Sequence, residues 1–102
     1  MSHAPRRAVL VAAFGSPCPY CGEPMVGPDR WPTRDHIKPR RFGCTLDDAS
    51  NRAVVCEPCN NDKGSLTLRR FRNRLRRVGD ARANRVHAFR EWHKQRLVSP
   101  MS

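Results

Sequence analysis

Four cysteines stand in two short pairs, Cys18-Pro-Tyr-Cys21 and Cys56-Glu-Pro-Cys59. Thiols two residues apart suit the knuckles that supply ligands to tetrahedral zinc, with Zn–S bonds of about 2.3 Å. A pair of redox-active dithiols is the alternative, but neither CxxC lies in a βαβ setting. With one ion on Cys18, Cys21, Cys56 and Cys59, the intervening chain becomes an excursion from a fixed point. It holds 34 residues between Cys21 and Cys56, more than the roughly 15–20 of a plain ribbon. Inside it lies Asp35-His36, in "TRDHIKPR", and later Asn51. The second knuckle runs directly into "NNDKG", which brings Asn60 and Lys63. The fifth cysteine, Cys44, is a spare thiol, because the zinc is already four-coordinate.

An Asp-His dipeptide alone is most simply a surface pair. Its position between two knuckles changes that. "CPYC", "RDHIKP" and "NRAVVCEPCNNDKG" together resemble the HNH endonuclease family, over Cys18 to Gly64. The resemblance implies an α+β fold, a small zinc-stapled ββα-metal domain with flanking helices. It implies a divalent-metal-dependent DNA endonuclease that hydrolyses phosphodiester bonds, by nicking or double-strand cleavage, and leaves a 3′-hydroxyl and a 5′-phosphate.

The chemistry of the residues fits that expectation. Phosphodiester hydrolysis needs a base to activate water, a hard cation and positive groups to hold the strand. Histidine exchanges its proton near neutrality, so His36 is the general base. Asp35 offers an oxygen for Mg²⁺ or Mn²⁺. Neighbours in a strand point to opposite faces, but the resemblance puts this pair where a strand gives way to a loop, so both are expected at one phosphate. It also makes Asn60 the second ligand of the catalytic ion, an asparagine where the family's last histidine would stand, and Asn51 the brace that orients the loop carrying His36. Lys63, one turn after Asn60, is expected at a phosphate, as are Arg34, Lys38, Arg40 and Arg41 around the base.

These residues need elements to position them. Extended pieces near Arg30 to Thr33 and Ala53 to Val55 could pair as an antiparallel ribbon. Thr67 is a plausible cap for a helix on which Leu68, Phe71, Leu75 and Val78 recur, and Gly79 stops it. Asp80 can cap the next, with an apolar stripe of Ala83, Val86, Phe89, Trp92 or His93, and Leu97. A short helix is expected before the first knuckle. The chain thus divides into an N-terminal helix or arm (1–17), the zinc-bound core (18–64) and basic C-terminal helices (65–98), all in a single domain of 102 residues. Such a domain has a small core, so a metal staple contributes noticeably.

Charge separates the parts. The chain carries 20 Lys and Arg against 9 Asp and Glu, a formal +11. Eleven of the cations lie between Leu66 and Val98, against only Asp80 and Glu91. This points to a polyanion, with Arg69, Arg70 and Arg72 among the contacts to a DNA backbone. Trp31 and Trp92 could stack on bases, though packing is the simpler fate of each. His87 and His93 read as helix-face residues and His3 as part of a tail. The longest apolar run is the seven residues Ala8 to Phe14, far short of a membrane span of roughly 20. A signal peptide is disfavoured, and reduced thiols fit the cytoplasm of a bacterial or phage-infected cell. The size resembles free-standing HNH proteins encoded by bacteriophages near packaging genes, which suggests an accessory nickase of a packaging machine. A non-catalytic zinc-knuckle module that binds nucleic acid is the rival from another class.

Overall fold

In a computed structural model, residues 6–37 and 51–98 are described. Their elements are α1 (Arg6–Ala13), β1 (Pro32–His36), β2 (Arg52–Cys56), α2 (Glu57–Lys63), α3 (Leu68–Arg77) and α4 (Arg82–Val98). Helices and one antiparallel ribbon make an α+β fold, with the paired cysteines gathered beside it. Lys38, Arg40, Arg41 and Cys44 lie outside the described residues.

The first knuckle is a tight hairpin. The amide of Cys18 donates to Glu23 O at 2.8 Å and that of Gly22 to Cys18 O at 2.7 Å. Gly22 has φ +81°, a left-handed conformation that calls for glycine. This hairpin delivers Tyr20 to the interior, between the two cysteines.

The ribbon pairs Pro32 with Cys56, Thr33 with Val55, Arg34 with Val54, Asp35 with Ala53, and His36 with Arg52. Directly opposed residues share a face. Thr33, Asp35, Ala53 and Val55 therefore make an inner face, on which Asp35, Ala53 and Val55 are buried, while Arg34, His36, Arg52 and Val54 make a half-buried outer face. The ribbon extends three residues further along β1 than the sequence suggested, because the pairing continues as far as Asn51 O, which accepts from the amide of Ile37 at 2.8 Å.

Helix α2 starts directly from β2. Cys56 is its N-cap with extended dihedrals, and Pro58 stands in the first turn, where its missing N–H costs nothing. The helices beyond follow the sequence closely. Thr67 accepts from the amide of Arg70 at 3.2 Å, and Asp80 Oδ1 accepts from that of Arg82 at 2.9 Å. Between them Gly79 turns with φ +73°. Leu68, Phe71 and Leu75 of α3 are buried against Ala83 and Val86 of α4. Val78 departs from the expected stripe: it is the C-cap of α3, after the last helical turn, and is 72% exposed. Trp92 also leaves the stripe, tilted against Phe89 at 5.5 Å but half exposed.

Tyr20 joins the halves of the core. Fully buried, it meets Phe71 at 5.9 Å and Phe89 at 5.6 Å, both edge to face. Phe71→Ala should therefore lower stability by about 3–5 kcal/mol, read as a shift in the urea midpoint with the slope unchanged.

Candidate functional site

The site begins with the thiols. The ligand atoms of Cys18, Cys21, Cys56 and Cys59 all lie within 4.8 Å of one another. A tetrahedron with bonds of about 2.3 Å sets its sulfurs roughly 3.8 Å apart, and Cys21 Sγ is 3.8 Å from Cys56 Sγ. Backbone amides of Tyr20 and Cys56 point at Cys18 Sγ from 3.3 and 3.4 Å. These donors stabilise negative sulfur. The hydrogen bond from Cys59 holds the Cys18 thiol down at about 5, and the same contact pushes Cys59 up. Two guanidinium groups complete the surroundings. Arg30 Nη1 lies 3.7 Å from Cys21 Sγ and Arg82 Nη1 lies 3.5 Å from Cys59 Sγ. Donor type, size and charge fit a structural zinc ion, which the four cysteines could hold.

Arg82 does more than face sulfur. It pairs with Asp80 at 2.8 Å and with Asp62 of α2 at 3.0 Å, and its guanidinium lies 5.8 Å over the Phe71 ring. It thus ties the start of α4 to α2 and to the thiol cluster. Nothing in the sequence distinguished Arg82 or Arg30 from the other arginines. Proximity to sulfur is made by the fold.

The second cluster lies under the ribbon. Asp35, 4% exposed, accepts from Tyr20 Oη at 2.7 Å, and Lys63 Nζ sits 3.2 Å from each of its carboxylate oxygens. The third direction of the ammonium goes to His36 O at 2.9 Å. Burial pushes the Asp35 carboxyl up and the Lys63 ammonium down, and their mutual attraction opposes both shifts. Burial and the neighbouring carboxylate push the Tyr20 phenol well up, so it remains a donor.

Two expectations are corrected here. Asp35 and His36 both belong to the paired strand, so alternation does hold: Asp35 faces inward and His36 lies on the outer face. Lys63, expected at a phosphate, is enclosed, because it follows Asn60 by three residues and both belong to the side of α2 that covers β1. The burial of Asp35 could have predicted it, since an enclosed carboxylate needs a counter-charge.

Asn60 Nδ2 donates to Thr33 Oγ1 at 2.9 Å and to Arg34 O at 3.2 Å, which pins α2 to β1. Asn51 is buried where the ribbon closes, and its carbonyl holds the residue after His36. Asp35 and Asn60 are oxygen donors of the type a hard cation takes. Their arrangement nevertheless does not fit one: the Asp35 oxygens are enclosed and an ammonium already rests on both. Arg34 and Arg52 flank His36 on the outer face. On the helices, Arg69 and Arg70 are exposed, and Arg72 is half-buried with Nη1 3.0 Å from His87 Nδ1.

The model of the HNH endonuclease family matches residues 18–66, from the first knuckle to the end of the loop after α2. Over that segment the chain is similar to HNH endonucleases. No curated protein matches the chain. Among the described residues no helix is long and apolar enough to cross a membrane.

Two outcomes follow. Purified chain should carry one zinc per molecule by elemental analysis, and prolonged chelation should abolish its cooperative thermal transition, while zinc alone restores it. Lys63→Met, which leaves Asp35 enclosed without its partner, should cost about 3–5 kcal/mol, and Lys63→Met combined with Asp35→Asn should recover part of that loss in the same denaturation experiment.

Proposed function

We propose that this protein is an endonuclease that hydrolyses phosphodiester bonds in DNA, with His36 as the general base. The observation that carries this reading is the placing of His36 at the end of the ribbon of an HNH-family segment, on a half-buried outer face with Arg34 and Arg52 beside it. A phosphate on that face meets two guanidinium groups, which offset the charge that builds on its oxygens. His36 takes a proton from water as the water oxygen bonds to phosphorus. The bond to the 3′ oxygen breaks, and that oxygen takes a proton from solvent. A 3′-hydroxyl and a 5′-phosphate result, and His36 returns its proton to solvent.

Lys63 supports the base indirectly. By holding His36 O, it fixes the backbone from which the imidazole projects, and Asn51 holds the next residue. The cysteine cluster belongs to this reading as structural zinc. Dependence on Mg²⁺ or Mn²⁺ belongs to it as a family trait, but Asp35, enclosed with an ammonium on both oxygens, is not arranged to hold that ion, and no step is routed through it here. The exposed arginines of α3 and α4 supply sequence-independent contact with the phosphate backbone, on a chain of net charge +11. An accessory role in a bacteriophage packaging complex, in the cytoplasm of the infected cell, fits a small basic nuclease of this kind.

One observation favours the rival. The enclosure of Asp35 by Tyr20 and Lys63 is what a binding module that had lost its chemistry would show. Plasmid cleavage separates the two. Supercoiled DNA with Mg²⁺, with Mn²⁺ or with EDTA should be cut by the wild-type chain in a metal-dependent way, and His36→Ala should cut at least about a hundredfold more slowly. Equal cutting by both would remove His36 as base. DNA binding with no cutting under any condition would establish the binding module.

A further inference from the structure

The ribbon begins at an exposed aromatic pair that the hydrolytic chemistry does not use. Trp31 immediately precedes β1 and is 49% exposed, and Phe14, at the end of α1, is 50% exposed. Their rings lie 5.7 Å apart at 45°. The indole is also held from below. It rests on Gly27 so closely that a Cβ there would lie 2.3 Å from Cζ2 and 2.5 Å from Cη2. Trp31 O accepts from the amide of Glu57 at 2.9 Å, which fixes the backbone at the junction of β1 and α2. The ring is therefore placed by its neighbours, yet half of the residue faces solvent. Tyr20 and Phe71, which serve the core, are 0% and 1% exposed.

We propose that Trp31, backed by Phe14 and Gly27, is a stacking platform for an unpaired nucleobase, and that the substrate is single-stranded or locally unpaired nucleic acid. Charge argues for this occupant over an apolar protein surface. The chain carries +11, and the strand that follows Trp31 continues through Arg34 to His36. At about 3.3 Å per residue the backbone runs roughly 16 Å from Trp31 to His36, a reach that a few nucleotides cover. An aromatic ring in a cationic setting takes a base by its π-face whatever its sequence, but bases inside a duplex already have both faces stacked. Only an unpaired base can use the platform. The inference rests on the nuclease reading for the face along which the strand runs, and not for the stacking itself.

The test uses the full chain with His36→Ala, to prevent turnover, and Trp92→Phe, so that Trp31 is the remaining tryptophan. Oligothymidylate should quench its fluorescence, and a duplex of equal length should quench it far less. Trp31→Ala should weaken oligothymidylate binding roughly ten- to hundredfold, leave duplex binding and the melting temperature in place, and Trp31→Phe should fall between. Absence of quenching, or equal loss for single strand and duplex, overturns the proposal. So does a change from dimer to monomer in sedimentation on Trp31→Ala, which would make a second copy the occupant. Should Trp31→Ala fail to fold, quenching and the Trp31→Phe affinity decide. Wild-type chain that stacks single strands but cuts nothing would sink the nuclease reading alone, and cutting without a single-strand preference at Trp31 would sink this one alone.

Discussion

The structure depends on one enclosed charge pair. Asp35 and Lys63 meet under the ribbon, and the Tyr20 hydroxyl completes the carboxylate's contacts. Two charges taken out of water are tolerated only with good geometry and filled hydrogen bonds. Here the requirement fixes three separate pieces of chain. Tyr20 comes from within the first knuckle, Asp35 from β1, and Lys63 from α2 four residues after the last knuckle cysteine. The knuckles that gather the thiols are therefore the same segments that deliver the phenol and the ammonium. Assembling the cysteine cluster and satisfying Asp35 are a single geometric event, and that event also sets the backbone of His36.

A ribbon with two unlike faces follows. Inward, its polar groups are neutralised within the protein: Asp35 by Lys63, Thr33 by Asn60 and Val55 O. Outward, it carries Arg34, Arg52 and His36 with no carboxylate in the strands on that side. Had Asp35 shared the outer face, it would have offset part of the positive potential there. Placing the acid beneath the sheet lets adjacent residues in the chain face opposite ways: Asp35 secures α2, and His36 lies on the outer face.

Much of this was legible in the sequence because the signals were local. Paired cysteines, Thr67, Gly79 and Asp80 act through their immediate neighbours, and the apolar spacing of α3 needs only the helical period. What escaped was set by tertiary contact. The strand pairing runs through His36, so alternation overrides the loop expected there. Lys63 resembles any helix-surface lysine until the far side of α2 is seen to cover a carboxylate. Trp31 reads as a core residue by type, but Gly27 and Phe14 support it at the edge of the molecule instead. The roles assigned to Asn51 and Asn60 came from family resemblance, and the geometry adds that Asn60 holds the backbone in the middle of β1 and Asn51 that just beyond its end.

The thiol cluster has an electrostatic consequence for the basic helices. Four thiolates on one divalent ion would carry a net charge of about −2, and Arg30 and Arg82 lie 3.7 and 3.5 Å from two of the sulfurs. Arg82 opens α4 and simultaneously pairs with Asp80 and Asp62, so that charge reaches beyond the knuckles. It anchors the N-terminal end of α4, and through the packing of α4 on α3 it orients an arginine-rich surface relative to the ribbon. A bare arginine-rich helix hairpin repels itself. Setting Arg82, the first residue of α4, against the thiol cluster gives the hairpin a fixed seat, and Arg69, Arg70, Arg74, Arg76, Arg77 and Arg85 are left exposed to solvent.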